Sequence, residues 1–103
     1  MTEYRFQAEL WRYKGDSPWH FVTLPFDQAD EIDELTTHVQ RGFGAVKVEV
    51  TVGATSWSTS LFPDGRVKSY ILPVKAAVRK AERLEEGSMV DVTLRLVYPG
   101  GYE

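Results

Sequence analysis

The stretch AVKVEVTVGATSWSTSLFPDGRVKSYIL, Ala45 to Leu72, decides how this chain folds. Val46, Val48, Val50 and Val52 point one way, and Lys47, Glu49 and Thr51 the other. That period of two belongs to a strand with one buried face. Gly53–Ala54 makes a tight turn, Thr55 to Phe62 returns as a second strand, and Pro63–Asp64–Gly65 turns the chain again. Val67 to Leu72 then completes a three-stranded meander.

Working outward, Tyr4, Phe6, Ala8 and Leu10 alternate with polar residues and read as a strand. Lys14 to Pro18 is a turn signal, Trp19 to Leu24 is a second strand, and Pro25 stops it. The period then changes. Ala29, Ile32, Leu35 and Val39 fall at helical spacing, with Asp27 as N-cap and Asp30, Glu31 and Asp33 early, where the helix dipole favours acids. Gly42 or Gly44 supplies the stop. Downstream of the meander, Pro73 opens a helix over Val74 to Leu84. Met89 to Tyr98 is the last strand, with Val90, Val92, Leu94 and Leu96 on one face. The order is β-β-α-β-β-β-α-β. Six strands, each with one buried face, exceed what a flat half-exposed sheet of this length can hold. A mainly β fold with two helices follows, as a small six-stranded closed or nearly closed β-barrel capped by the helices.

With 103 residues, residues 1–98 form one β-barrel domain and residues 99–103 a frayed tail. The hydrophobic share of 43% is enough for one core. No apolar run approaches the roughly 20 residues of a membrane span. The alternating N-terminus is not a signal peptide, so the expected location is cytoplasmic. There is no cysteine, which removes disulfides, thiolate zinc sites and a thiol nucleophile together. The net charge of −3 argues against broad binding to a phosphate backbone. His20 and His38 lie on different elements without a third partner, so no metal site is expected. No phosphate-loop, dinucleotide or nucleophile-elbow pattern implies a cofactor or a catalytic residue.

Two groups of residues carry chemistry. The second helix begins with Lys75, followed by Arg79 and Arg83 at i+4 and i+8, with Lys80 adjacent. Lys75 at the start, and Glu85–Glu86 at the end, oppose the macrodipole. Either Lys75 belongs to an anion site over the barrel mouth, or it is the structural partner of an acid such as Asp91 or Glu49. The second group is Trp57, Phe62 and Tyr70, aromatics of the kind that line small-molecule sites. Core packing is the alternative for them.

WSTSLFP (Trp57–Pro63), YILPVKAAVRKA (Tyr70–Ala81) and Gly87 before a V-x-V-x-L strand resemble the bacterial domain-of-unknown-function-1905 family. The likeness runs from Phe6 to Tyr98. Where the family has Gly-Asp before the last strand, this chain has Gly87–Ser88. The resemblance implies a double-split β-barrel, a class that also includes AbrB-like DNA-binding proteins. It implies no biochemical activity. The leading functional reading is a non-enzymatic ligand-binding or interaction module with a basic-aromatic site formed by Lys75, Arg79, Trp57, Tyr70 and Phe62. A small anionic ligand or a protein partner would occupy it, in a monomer or weak dimer. A DNA-binding regulator, by fold analogy, and an enzyme acting on a small anionic substrate are the alternatives.

Overall fold

Seven strands and two helices follow one another in the computed structural model, which describes residues 3–16, 18–36 and 44–97. They are β1 (Glu3–Glu9), β2 (Trp11–Arg12), β3 (His20–Thr23), α1 (Phe26–Thr36), β4 (Val46–Val52), β5 (Thr55–Asp64), β6 (Ser69–Pro73), α2 (Ala76–Ala81) and β7 (Met89–Leu96). The strands form one antiparallel sheet in the order β1-β7-β4-β5-β6-β3-β2. The expected ends of the first helix at Val39 and Gly42, the end of the last strand at Tyr98, His38 and the tail 99–103 lie outside the described residues.

The meander is as its alternation predicts. Val46, Val48, Val50 and Val52 are all buried, and their strand neighbours Lys47, Glu49 and Thr51 are exposed. On β7, Val90, Val92, Leu94 and Leu96 complete the same core, and Phe6 and Tyr4 join it from β1. Burying one such aliphatic side chain is worth about 1.5–3 kcal/mol, so these two strands alone specify which face of the sheet turns inward.

Strand β5 is the spine. Its first seven residues pair with β4, from Val52↔Thr55 to Val46↔Leu61, and its last three pair with β6, from Phe62↔Ile71 to Asp64↔Ser69. One strand thus serves both halves of the sheet, which curls around it. The two sheet edges, β1 and β2, are separated along the chain by Leu10 alone. Leu10 is fully buried; its N–H donates to the Ser88 carbonyl and its own carbonyl accepts from Gly87 N–H, both at 2.8 Å. The result is a curled half-barrel. The sequence reading counts six strands and a closed or nearly closed barrel. The extra strand is β2, whose two residues are too few to show a period, and among the described residues β1 and β2 form no ladder with each other.

Both helices depart from their expected limits. α1 starts at Phe26, with Ala29 N–H bonded to the Pro25 carbonyl, so Asp27 sits inside the first turn and is not the N-cap. Ala29, Ile32 and Thr36 face the core, whereas Leu35 is 45% exposed. Thr36 takes the buried place by donating its hydroxyl to the Ile32 carbonyl at 2.7 Å. The second helix is shorter than the expected Val74–Leu84. Pro73 still belongs to β6 and Lys75 is the N-cap. The helix is closed by Arg83, which adopts φ 57°. Arg83 N–H bonds the Lys80 carbonyl and Leu84 N–H bonds the Arg79 carbonyl, the Schellman pattern with arginine where glycine is usual. Among the described residues, no helix is long and apolar enough to cross a membrane.

Candidate functional site

Where α2 leaves β6, it overhangs the outer turn of β3 and the middle of β5. The space between is a cleft of about 470 Å³. Trp57, Ser58, Thr59 and Phe62 line it from β5, Pro73 to Ala76 and Arg79 from the start of α2, and Pro18, Trp19 and His20 from the start of β3. Trp57 lies opposite Val50 in the β4–β5 ladder, on the side of the sheet that the valines bury, and packs partly against the core. Phe62 is 42% exposed and Trp19 60% exposed. Trp19 is stacked on Phe21 with an interplanar angle of 13° and centroids 6.4 Å apart.

Among the described residues, no carboxylate lies within ion-pair distance of Lys75 or Arg79, and none lines the cleft. Of the acids that the sequence offers as partners for Lys75, Asp91 sits on the exposed face of β7 opposite Gln7 of β1, and Glu49 is engaged elsewhere, as are Glu86 and Glu82. Glu49 pairs with Arg95, and Glu86 with Arg12 at 3.6 Å. Glu82 accepts from Thr55 Oγ1 at 2.6 Å and from Ala54 N–H at 3.2 Å. That last contact clamps the end of α2 to the β4–β5 turn. Gly53 makes room for it: its φ is +60°, and a Cβ there would sit 2.1 Å from Glu82 Oε1.

Arg79 is held from behind. Its Nε donates to the Val74 carbonyl at 3.1 Å, and its Nη2 makes a long contact of 3.4 Å to the Pro18 carbonyl. The same Pro18 carbonyl lies 2.8 Å from His20 Nδ1. A carbonyl can only accept, so Nδ1 carries the proton, and the neutral ring presents Nε2 as an acceptor. A guanidinium has five N–H donors, which leaves the Nη1 hydrogens for a ligand. The helix itself adds little: six residues make a weak dipole, so the charge in the cleft comes from side chains.

Four of the five residues singled out in the sequence, Lys75, Arg79, Trp57 and Phe62, therefore meet in one cleft. Tyr70 does not join them. It is 5% exposed, and its hydroxyl donates to Asp33 Oδ1 on α1 at 3.1 Å. Arg83 also leaves the expected stripe, because the helix ends before it. Trp19 and His20 were not singled out, and they enter through the β3–β6 pairing, which brings Phe21 opposite Pro73. The only local hint was an aromatic beside a turn proline.

Two other hollows compare poorly. One of about 520 Å³ lies along β4, β5 and β7 and has its charges paired as Glu49–Arg95. One of about 360 Å³ lies between α1 and the β5–β6 turn and is lined by Asp30, Asp33, Asp64, Lys68 and Tyr70. There the Arg66 side chain binds both Asp64 oxygens, at 3.1 and 2.9 Å. That hydrogen bonding holds the Asp64 carboxyl below its ordinary value of 3.8, against the opposing effect of burial. Among the described residues, no group of three or more His, Cys, Asp or Glu side chains could hold a metal ion.

A curled antiparallel half-barrel with two short helices defines a small, mainly β domain. The family model described as domain of unknown function (DUF1905) matches residues 6–94, and the chain belongs to that family. Comparison with curated proteins gave no match.

Proposed function

We propose that this protein is a non-enzymatic binding module whose cleft between α2, β3 and β5 takes a small ligand with an anionic group. One observation carries the reading. In a chain of net charge −3, Lys75 and Arg79 share a cleft with three aromatic side chains and no carboxylate among the described residues. Spare cations beside apolar walls are the arrangement that desolvates and holds an anion. The same reading takes the half-barrel as a nearly closed barrel of the double-split class, supported by the single residue between its edge strands, and the protein as a monomer or weak dimer.

A thermal-shift screen with phosphate, sulfate and simple carboxylates tests it. At least one of these anions raises the melting temperature, and added salt shrinks the rise. Lys75→Ala removes the rise while leaving the ligand-free melting temperature within a degree or so. Melting that ignores every anion in the wild type rejects the reading.

One observation favours a second reading, catalysis on a small anionic substrate. His20 brings a titratable group with a fixed proton position into the same cleft. His20→Ala separates the two: a binding module keeps ligand affinity within a few-fold, and an enzyme loses turnover of a bound substrate.

A further inference from the structure

The cleft holds three separate chemistries at once, and together they describe one class of ligand. Two cations face it, the Lys75 ammonium and the Arg79 guanidinium. Three aromatic rings wall it, Trp19, Phe62 and Trp57. Neutral hydrogen-bonding groups lie between: Thr59, on the same face of β5 as Trp57, and the His20 ring, whose Nδ1 is committed to the Pro18 carbonyl.

Each feature selects. Two positive charges with no acidic neighbour among the described residues match a phosphate monoester, which carries about −1.5 to −2 at pH 7, better than a monocarboxylate. Arg79 is tethered through Nε, which fixes the guanidinium plane before any ligand arrives and lowers the ordering cost of a phosphate contact. Trp19 is fixed in the same way by its stack on Phe21. Rigid aromatics that retain exposure favour a planar ring, since stacking on a base is worth about 1–3 kcal/mol and tolerates any base. A hydroxyl and an imidazole acceptor suit a polyhydroxylated spacer. The volume, about 470 Å³, lies in the range of small-molecule sites. Two cations neutralise one phosphate monoester and would leave a polynucleotide backbone largely uncompensated.

We infer that the cleft binds a nucleoside monophosphate: phosphate on Lys75 and Arg79, sugar on Thr59 and His20, base against Trp19 and Phe62. This rests on the anion-binding reading above and narrows it to one ligand class.

Isothermal titration calorimetry at pH 7.5 and low salt tests the inference with adenosine 5′-monophosphate, adenosine, ribose 5-phosphate, benzoate and a single-stranded oligonucleotide. The monophosphate binds, and adenosine and ribose 5-phosphate each bind at least about tenfold more weakly, since each lacks one anchor. Trp19→Ala weakens the monophosphate about tenfold and leaves ribose 5-phosphate unchanged, while Lys75→Ala weakens both. Trp19 is 60% exposed, so its replacement leaves the melting temperature nearly unaltered, and a melting curve of each variant verifies its fold. If benzoate binds tighter than the monophosphate, the ligand class is wrong and the anion site stands. If the oligonucleotide binds tighter per phosphate than the monophosphate, the single-nucleotide assignment falls. If none of the five binds, the inference fails, and the anion reading is then decided by the thermal-shift screen alone.

Discussion

The cleft at the start of α2 and the acidic hollow beneath α1 are built from the same two strands with opposite results. Phe62 lines one and Pro63 the other; Pro73 lines one and Tyr70 the other. The acidic hollow uses two of its carboxylates internally, Asp33 and Asp64. Tyr70 binds Asp33, and Asp64 is gripped by Arg66 through side chain and backbone. Among the described residues the cleft gives Lys75 no partner acid and spends only the back of Arg79 on carbonyls. A charged group that holds the fold together finds its counter-ion inside the chain. One that does not is available to something else.

Four substitutions probe that contrast, from the largest effect to the smallest. Tyr70→Ala removes a buried aromatic and the bond to Asp33 and is expected to cost about 3–5 kcal/mol by denaturant titration. Any anion-induced stabilisation of the variant should survive, because Tyr70 lies outside the cleft. Glu82→Ala deletes the clamp between α2 and the β4–β5 turn and is expected to cost about 1–3 kcal/mol. It should also weaken anion binding, since Lys75 and Arg79 ride on that helix. If stability falls and binding does not change, α2 is positioned by other contacts.

Asp64→Asn addresses pH. The folded-state pKa of Asp64 is lowered by Arg66, so its contribution is present above the ordinary value of 3.8 and is lost as pH falls through the folded value. The wild type should lose stability below about pH 3.8 more steeply than the variant. Parallel acid-melting curves for the two proteins would remove Asp64 from the account of the acidic hollow. The smallest effect on stability is that of Lys75→Ala. Among the described residues the lysine has no ion-pair partner to lose, and it sits as N-cap without a side-chain capping bond, so urea midpoints should coincide. A clear destabilisation would return Lys75 to the role of structural partner.

Much of this arrangement was legible in the sequence. The valine alternation from Val46 to Val52 and the V-x-V-x-L pattern of β7 gave strands with the correct buried face, because a period of two has one physical meaning in a half-buried sheet. Local chemistry picks out Lys75 and Arg79 as one group and Trp57, Phe62 and Tyr70 as another, and the fold decides which of them line one cleft. What stayed hidden depends on long-range pairing or on a single backbone torsion. Pro63 reads as a turn, yet β5 runs through it to Asp64, where its missing N–H is tolerated at the end of the ladder. Arg83 looks like a helix residue until its φ of 57° ends the helix. Tyr70 is five residues from Lys75 in sequence, and the β6 path carries its side chain to α1 instead. Trp19 and His20 reach the cleft only because β3 pairs with β6, a register that no local pattern encodes.

The central claim is that the cleft, and not the acidic hollow, answers an anion. A phosphate titration followed by two-dimensional ¹⁵N NMR tests it most directly. The account predicts saturable, salt-sensitive shifts at the Trp57 indole N–H and at the amides of Ala76 and Arg79, with Asp33, Ser69 and Tyr70 unmoved. Shifts centred on Asp33, Ser69 and Tyr70, or none at Trp57, Ala76 and Arg79, would contradict it.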